Sequence, residues 1–561
     1  MKNVYTAAWI AIIILITAIA LPGVPALADN GPEGILLSWT GDTATTQTVT
    51  WRSDTNEDAF VEYVLEAEYR LTSFVHAAQI NAKCKDISLD ASGAWHFEAT
   101  MTGLSPATRY IYRVGNDSGW SEAVTFVTAD PAAEAFSFTY MGDIQVANNA
   151  ETEYALWGEL ALAAYAKAPD MAFGLFGGDT VESGISLTQF DLFMKNASPV
   201  FSRVPVVPTI GNHESNFIGG KAELYLDVFA LPENGPDEFI EEFYSFDYGN
   251  CHITVLNSWV FSGEQSLDAD DFDRIYTWIE NDLRSSNATW KIVLMHHPVY
   301  PVHSDGVANA VRENWAQLFE AYGVSLVFMG HQHVYSRTYP MYDGRIDYEN
   351  GIVYIMGNAG QKFYSSGDAR YSERMICNIA TYQLIRIDGN TLTVQTYDID
   401  GNELDSCMLS PRAAASQGAD DPLTRLMLAE ALYSLSGSPV ITGTNPFADA
   451  TEASVIWAYE NGITCGTSEA AFSPDDPITR EQLAAMLYRY VQYTGQDTSQ
   501  RGDTAKFTDA GEISDWAAEA LSWATGVALI NGMDDGTVLP KGTATRAEAA
   551  QILLNMEGMG K

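Results

Sequence analysis

The 561-residue chain holds 73 acidic against 30 basic residues, a net charge of −43, and so acidic a surface offers no bulk positive potential to nucleic acid or anionic lipid. Hydrophobic residues at 47% and charged residues at 18% exclude global disorder and allow several cores. The five cysteines, Cys84, Cys251, Cys377, Cys407 and Cys465, lie far apart with no Cys-x-x-Cys pair, which argues against a thiolate zinc knot or a disulfide-dense scaffold.

Residues 1–28 read as an export signal. Lys2 is the only charge before Asp29, and Ile10 to Leu21 is almost wholly apolar. Pro22, Gly23 and Pro25 then break the helix ahead of Ala26-Leu27-Ala28, the small-x-small form that signal peptidase cuts. The uncharged stretch is long enough to span a bilayer, so a retained anchor is the competing reading; the helix breakers and the cleavage site favour removal. No later segment approaches the ~20 continuous apolar residues of a membrane helix. The mature chain is expected outside the cytoplasm, soluble and without a membrane span.

Residues 31–130 contain short alternating segments separated by turns. Thr48-Val49-Thr50-Trp51 is one; in another, Tyr110, Tyr112 and Val114 share a face with Arg109 and Arg113 opposite, and Gly115 to Gly119 makes a turn. Leu104 to Tyr110 resembles the tyrosine-corner region of a fibronectin type III sandwich. His76 and His96 have no carboxylate or cysteine partner at ligand spacing and read as ordinary structural or surface histidines. The domain is expected to be a spacer or a platform for the next one.

From 134 to 405 apolar runs alternate with helical stretches (Glu151 to Lys167, Asp270 to Arg284, Val307 to Tyr322), the pattern of an α/β domain. Phe136 to Met141 runs into Gly142-Asp143, and Met171 to Phe176 into Gly178-Asp179. Val204 to Ile210 runs into Gly211-Asn212-His213-Glu214, Trp290 to Met295 into His296-His297, and Val324 to Met329 into Gly330-His331-Gln332-His333. All five buried-strand patterns are punctuated at the C-terminal end by Asp, Asn or His, and that edge is where sites form in open α/β sheets. Carboxylate oxygens with imidazole nitrogens, and no thiolate, suit Mn, Fe or Zn. His331 and His333, two apart on extended backbone, point to one face and can reach one metal cluster. The glycines permit tight turns and close approach. Gly-Asp alone is usually a turn, and a lone strand-end His is usually hydrogen-bonded; Gly-Asn-His-Glu and Gly-His-x-His are rarer, and the five together outweigh a purely structural explanation.

This constellation resembles the calcineurin-like metallophosphoesterase superfamily, and within it the purple acid phosphatase branch, whose members also carry a fibronectin-like front domain. Gly330-His331-Gln332-His333-Val334-Tyr335-Ser336-Arg337 is similar to that branch's final motif. The resemblance covers roughly residues 31 to 400. It implies that Asp143, Asp179, Asn212, His296, His331 and His333 ligate two metal ions, with Asp179 as the bridge, and that His213 touches the substrate phosphate. Two positions depart from the pattern. Glu182 stands where purple acid phosphatases carry an iron-ligating Tyr, so tyrosinate charge transfer is expected to be missing and the pair is left open among Fe, Mn and Zn. Gln145 stands where many relatives in the wider superfamily carry a ligating His; it either lines the site or gives an amide oxygen. Two close cations acidify the water between them, so hydroxide is expected to attack phosphorus in line while His213 donates a proton to the leaving oxygen or hydrogen-bonds the phosphate. His303 either assists or is a loop histidine; His297 is read as orienting its loop and His252 as structural. No Gly-x-Ser-x-Gly elbow occurs.

After a linker at 406–420, residues 421–557 are repetitive. Pro422-Leu423-Thr424-Arg425 recurs as Pro477-Ile478-Thr479-Arg480 and as Thr543-Ala544-Thr545-Arg546, each followed by helical apolar spacing. Phe447-Ala448-Asp449 recurs as Phe507-Thr508-Asp509, with Trp457-Ala458 and Trp516-Ala517 behind them. Such fixed-order self-similarity signals stacked modules. The segment resembles three S-layer homology repeats, the first present mainly as its second half. The resemblance implies a pseudo-three-fold, mostly helical module that grips an anionic, often pyruvylated, cell-wall polysaccharide. A guanidinium fork suits a carboxylate, and that role is carried to Arg425, Arg480 and Arg546. One Thr-Arg alone would be a helix start with Thr as N-cap; three in register favour ligand binding. Arg425 departs from the pattern in being followed by Leu-Met.

The expected architecture is therefore multidomain: a fibronectin III-like β-sandwich, an α/β metallophosphoesterase sandwich and a mostly α repeat module. The expected function is that of an exported, wall-anchored phosphatase acting on phosphate monoesters. The alternatives are an extracellular phosphodiesterase or nucleotidase, and a non-catalytic wall-binding protein, against which the full ligand set counts.

Overall fold

The computed structural model describes residues 31–87, 95–215, 221–412 and 422–556, apart from 369, 442, 469, 534, 535, 547, 550, 551, 554 and 555. The expected export signal at 1–28, and 413–420 of the expected linker, lie outside the described residues.

The front domain is two antiparallel sheets. One orders the strands Glu33–Ser38, Thr46–Ser53, Trp95–Thr102 and Lys83–Asp86; the other orders Ala78–Asn81, Phe60–Leu65, Arg109–Asn116 and Gly119–Trp120, with Val124–Val127 also paired to Arg109–Asn116. Between them Trp51 stacks on Phe97 with ring centroids 5.4 Å apart, and Tyr112, Val114 and Phe126 complete the core. The Tyr110 hydroxyl accepts the Ser105 N–H at 3.0 Å, closing the corner that the sequence pattern suggests. The sandwich is fastened to the next domain. Leu36 and Trp39 belong to that domain's core, Arg52 pairs with Asp191 at 2.7 Å, and the Tyr112 hydroxyl donates to the Ser202 carbonyl at 2.7 Å.

The central domain has two sheets. The first orders Val206–Pro208, Gly174–Phe176, Ala135–Met141, Tyr382–Asp388, Thr391–Tyr397 and Glu403–Leu409. The second orders Tyr244–Tyr248, Cys251–Leu256, Trp290–Met295, Leu326–Met329, Val353–Met356, Tyr335–Thr338 and Ser372–Ile376. In each, the strands that lead into the chemical residues run parallel. They are apolar on both sides because the sheets face one another, with Tyr140 stacked on Phe328 at 4.4 Å, while helices cover the outer faces. The strand Glu403–Leu409 carries this domain past the expected boundary at 405, so 406–409 are sheet rather than linker. Arg337, the last residue of the Gly330-to-Arg337 motif, fastens this strand to the second sheet through Asp405, with Nε to Oδ2 at 2.7 Å.

The C-terminal module contains the helices Arg425–Leu435, Ala453–Glu460, Arg480–Tyr493 and Ala518–Gly526 around one apolar cluster. Its three Thr-Arg segments meet in a closed ring of backbone bonds. Leu423 N–H donates to Ala544 O at 2.9 Å, Ala544 N–H to Ile478 O at 2.9 Å, and Ile478 N–H to Leu423 O at 2.8 Å. Each repeat thereby completes its neighbour, and none has its own closed core.

Candidate metal centre

The strand ends of both sheets converge on one buried cluster. Asp179 is at its middle: Oδ1 accepts the His213 backbone N–H at 2.9 Å and Oδ2 lies 3.2 Å from His296 Nε2. The ligand atoms of Asp143, Asp179 and His333 lie within 4.8 Å of one another, as do those of Asp179, His296 and His331. Asn212 joins the second group, its Oδ1 3.1 Å from His296 Nε2 and 2.9 Å from His331 Nδ1.

Tautomers decide what these contacts mean. His296 Nδ1 faces the Gly177 carbonyl at 2.8 Å, and a carbonyl can only accept, so Nδ1 carries the hydrogen. Its Nε2 therefore faces two oxygens, and only a proton or a cation between them satisfies that contact. In the same way His331 Nε2–H donates to Asp305 Oδ2 at 2.7 Å, which turns the Nδ1 lone pair toward Asn212 Oδ1. Oxygen and imidazole ligand atoms thus crowd one another, and Asp143 Oδ2 and His333 Nδ1 are buried with no hydrogen-bond partner. Among the described residues neither Asp143 nor Asp179 has an ion pair with Lys or Arg. Burial pushes the Asp143 carboxyl up to about 8, Asp179 adding to the rise and His296 opposing it. Burial also works against the Asp179 charge, but His296 and His213 hold that carboxyl well below the usual range. Oxygen and imidazole donors crowded in this way fit divalent or trivalent cations.

The backbone is strained to make the cluster. Asp143, Asp179, His331 and His333 have φ of 49°, 50°, 77° and 48°, a left-handed region that costs such residues on the order of 1 kcal/mol or more each. Gly211 allows the close approach, since a Cβ there would stand 2.2 Å from Asp179 Oδ1. Glu214 braces the loops: its buried carboxylate accepts the N–H groups of Asp179 at 2.9 Å, Thr180 at 2.6 Å and Gly211 at 2.8 Å.

His213 is half-buried at the rim. Its Nδ1–H donates to the Glu182 carbonyl at 2.7 Å, and its Nε2 is 4.0 Å from Asp179 Oδ2. The Glu182 carboxylate faces Lys362 Nζ at 3.4 Å. His303 has Nε2 on the Ser365 carbonyl at 2.9 Å. His297 stacks on Trp259 and is kept neutral by burial, its Nδ1 on Ser258 Oγ at 2.9 Å. Asp305 escaped the sequence reading. It caps the helix Gly306–Ala321 with one oxygen and holds His331 with the other, and it forms a third close group with His297 and His331. Glu214 was visible only as part of Gly-Asn-His-Glu. His76 and His96 join no ligand group among the described residues.

The three arginines of the repeats do not behave alike. Thr424 and Thr479 are N-caps, and the guanidiniums behind them turn inward. Arg425 Nε donates to the Phe472 carbonyl at 2.7 Å; Arg480 donates to the carbonyls of Val538 at 2.9 Å and Asn531 at 2.8 Å and pairs with Glu548. Both are 5% exposed; all three Arg480 nitrogens have protein acceptors, whereas for Arg425 the acceptor is on Nε, so neither is the fully open fork that the repeat pattern suggests. Arg546 is half-buried and makes no hydrogen bond or ion pair with another described residue.

Comparison with known proteins agrees with this division. Residues 32–128 match the purple acid phosphatase N-terminal domain, 136–335 the calcineurin-like phosphoesterase domain, and 447–484 and 506–550 the S-layer homology domain. The chain is 27% identical to acid phosphatase type 7 of Danio rerio over 343 residues, 56% of this chain and 73% of that protein. It is 28% identical to purple acid phosphatase 23 of Arabidopsis thaliana over 297 residues, 48% of this chain and 63% of that protein. In fold it is similar to the purple acid phosphatase PPD1 from yellow lupin seeds, with a TM-score of 0.54 and 20% identity over 68% of this chain and 74% of that one. These matches make the chain a purple acid phosphatase-like phosphoesterase with cell-surface-associating repeats.

Proposed function

We propose that this metallophosphoesterase is an exported phosphomonoesterase held at the cell wall by its repeats. The observation that supports the reading is that Asp179 belongs to two ligand groups at once, with Asp143 and His333 on one side and His296 and His331 on the other. Asp143, Asp179 and His333 would hold one ion; Asp179, Asn212, His296 and His331 would hold a second, each of Fe, Mn or Zn being compatible with such donors. Bound there, two cations supply positive charge for phosphate oxygens and acidify water between them.

The chain's own residues prepare the rest. The Gly177 carbonyl and Asp305 fix the tautomers of His296 and His331, so both present lone pairs to the cluster. His213, fixed through Nδ1 on the Glu182 carbonyl, offers Nε2 to the cleft. In its protonated form that atom donates to a phosphate oxygen or to the leaving oxygen. His303 is committed to Ser365 and is given no proton-transfer role. On a chain of net charge −43 an anionic substrate needs a local reversal of field, which cations in this cluster provide. Export rests on the apolar segment and cleavage pattern of residues 1–28. Attachment to an anionic wall polysaccharide rests on the repeats, with Arg546 as the open guanidinium.

The test is hydrolysis of p-nitrophenyl phosphate by the full chain. Activity is expected to vanish with chelator, return with metal, and fall at least about 1,000-fold in Asp179→Ala. Turnover of bis(p-nitrophenyl) phosphate alone would move the reading to a diesterase. No turnover of either with metal present would leave a wall-binding protein. Attachment is tested by pelleting with purified cell walls, which Arg546→Ala is expected to weaken.

A further inference from the structure

Gln145 lies two residues beyond Asp143 and is fully buried. Its backbone N–H donates to the Asp179 carbonyl at 2.8 Å, which pins it to the loop of the shared aspartate. Its side-chain amide ends 2.8 Å from His333 Nε2, while Oε1 has no hydrogen-bond partner. A buried amide oxygen left unpaired is unfavourable, and two side chains of the same cluster, Asp143 and His333, also carry an unpaired buried atom. The two ends of an amide have the same shape, so a half-turn places the oxygen where the nitrogen stands. That position suits a cation. Two donors at right angles on one ion, each about 2.1 Å from it, are about 3 Å apart, close to the separation of the Gln145 amide tip and His333 Nε2. If His333 gives its Nε2 lone pair to an ion, an amide N–H at that spot has no acceptor, whereas an amide oxygen has a partner.

Glu182 does not compete for this place. Its carboxylate is 39% exposed, faces Lys362 at 3.4 Å and His213 Nδ1 at 3.8 Å, and belongs to none of the close ligand groups among the described residues.

We propose that Gln145 gives an amide oxygen to the ion held by Asp143, Asp179 and His333, and that Glu182 is not a ligand. The proposal rests on the two-ion reading above. A neutral, hard oxygen leaves that ion with less anionic charge around it than a tyrosinate or a further carboxylate would. The position therefore favours a divalent ion such as Mn(II) over a trivalent one.

Metal-stripped full-length protein is titrated with Mn(II) by calorimetry and with Co(II) by visible absorption. Wild type is expected to take up two ions. In Gln145→Leu one step should weaken at least about 10-fold while the other is kept, and the Co(II) spectrum should change. Gln145→His should retain both steps, and Gln145→Glu should tighten the affected one, so the outcome does not hang on a single variant. Glu182→Gln should leave both steps and the spectrum as in wild type. Two unaltered steps and an unaltered spectrum in Gln145→Leu would overturn the proposal, as would loss of a step in Glu182→Gln. A wild type that binds no ion would instead sink the two-ion reading on which it stands.

Discussion

The metal centre and the seams of the repeat module treat polar side chains in opposite ways. In the centre, His296 and His331 have one nitrogen tied to a protein acceptor and the other aimed at oxygens that cannot donate, and atoms of Asp143 and His333 are left unpaired. In the seams, the Arg425 and Arg480 guanidiniums meet carbonyls of the next repeat. Both sets looked functional in the sequence, one through placement at strand ends and the other through recurrence. Recurrence says that a position matters to every copy. Several ligand-type groups that face one another in one buried place with unmet hydrogen-bonding capacity point to a partner other than the protein.

The comparison is broken most directly at Arg480. Arg480→Ala removes three bonded donors from a buried seam and leaves the carbonyls of Val538 and Asn531 without that partner, which is expected to cost about 2–3 kcal/mol of module stability. Arg480→Lys should recover little, because an ammonium lacks the fork geometry. Calorimetry should show the repeat transition falling while phosphate release stays as in wild type. Lost wall binding with an unmoved transition would return Arg480 to a ligand-facing role.

A smaller effect is expected at Asp305, on the other side of the comparison. Asp305→Asn keeps an N-cap for the helix Gly306–Ala321, so stability should move by only a few tenths of a kcal/mol. What it loses is the charged acceptor that orients His331, and one step of metal binding should weaken about 10- to 100-fold. Metal titration beside thermal unfolding separates the two roles. Equal loss in both would make Asp305 a helix cap and nothing more.

The strand ends were legible because parallel strands covered on both faces read as short apolar runs, and the chemistry sits where each run stops. Asp305 was not, since its bond to His331 joins loops after two different strands, and nothing near Ser304 or Gly306 marks it. The direction of Arg480 was hidden for the same reason: its acceptor is the carbonyl of Val538 in the next repeat, and a backbone acceptor leaves no trace in side-chain identity. The strand Glu403–Leu409 is an edge strand that mixes Glu403, Asp405 and Ser406 with apolar residues, so its pattern resembled linker. Four left-handed non-glycine residues at the centre had no sequence signal, because local preference opposes the conformation the cluster imposes.

His252 is the fully satisfied counterpart of His333. Its Nδ1 is 2.8 Å from Asp247 Oδ1 and its Nε2 3.0 Å from Asp282 Oδ2. Burial opposes a charge there, but the two carboxylates overcome it and lift the imidazole to about 9. The folded value thus lies above the unfolded one of about 6.5, so the native state holds the extra proton between these limits. The stabilisation is fully present below about pH 6.5 and is lost as pH rises through about 9. Its size is on the order of 2 kcal/mol, reduced because the Asp247 side chain is 73% exposed to solvent. Urea unfolding of the central domain at pH 6 and pH 9.5 should show wild type losing about that much more than His252→Gln. Parallel losses in the two proteins would mean that His252 carries no proton in the folded state, and that contact with two carboxylates is not enough to charge a buried histidine in this fold.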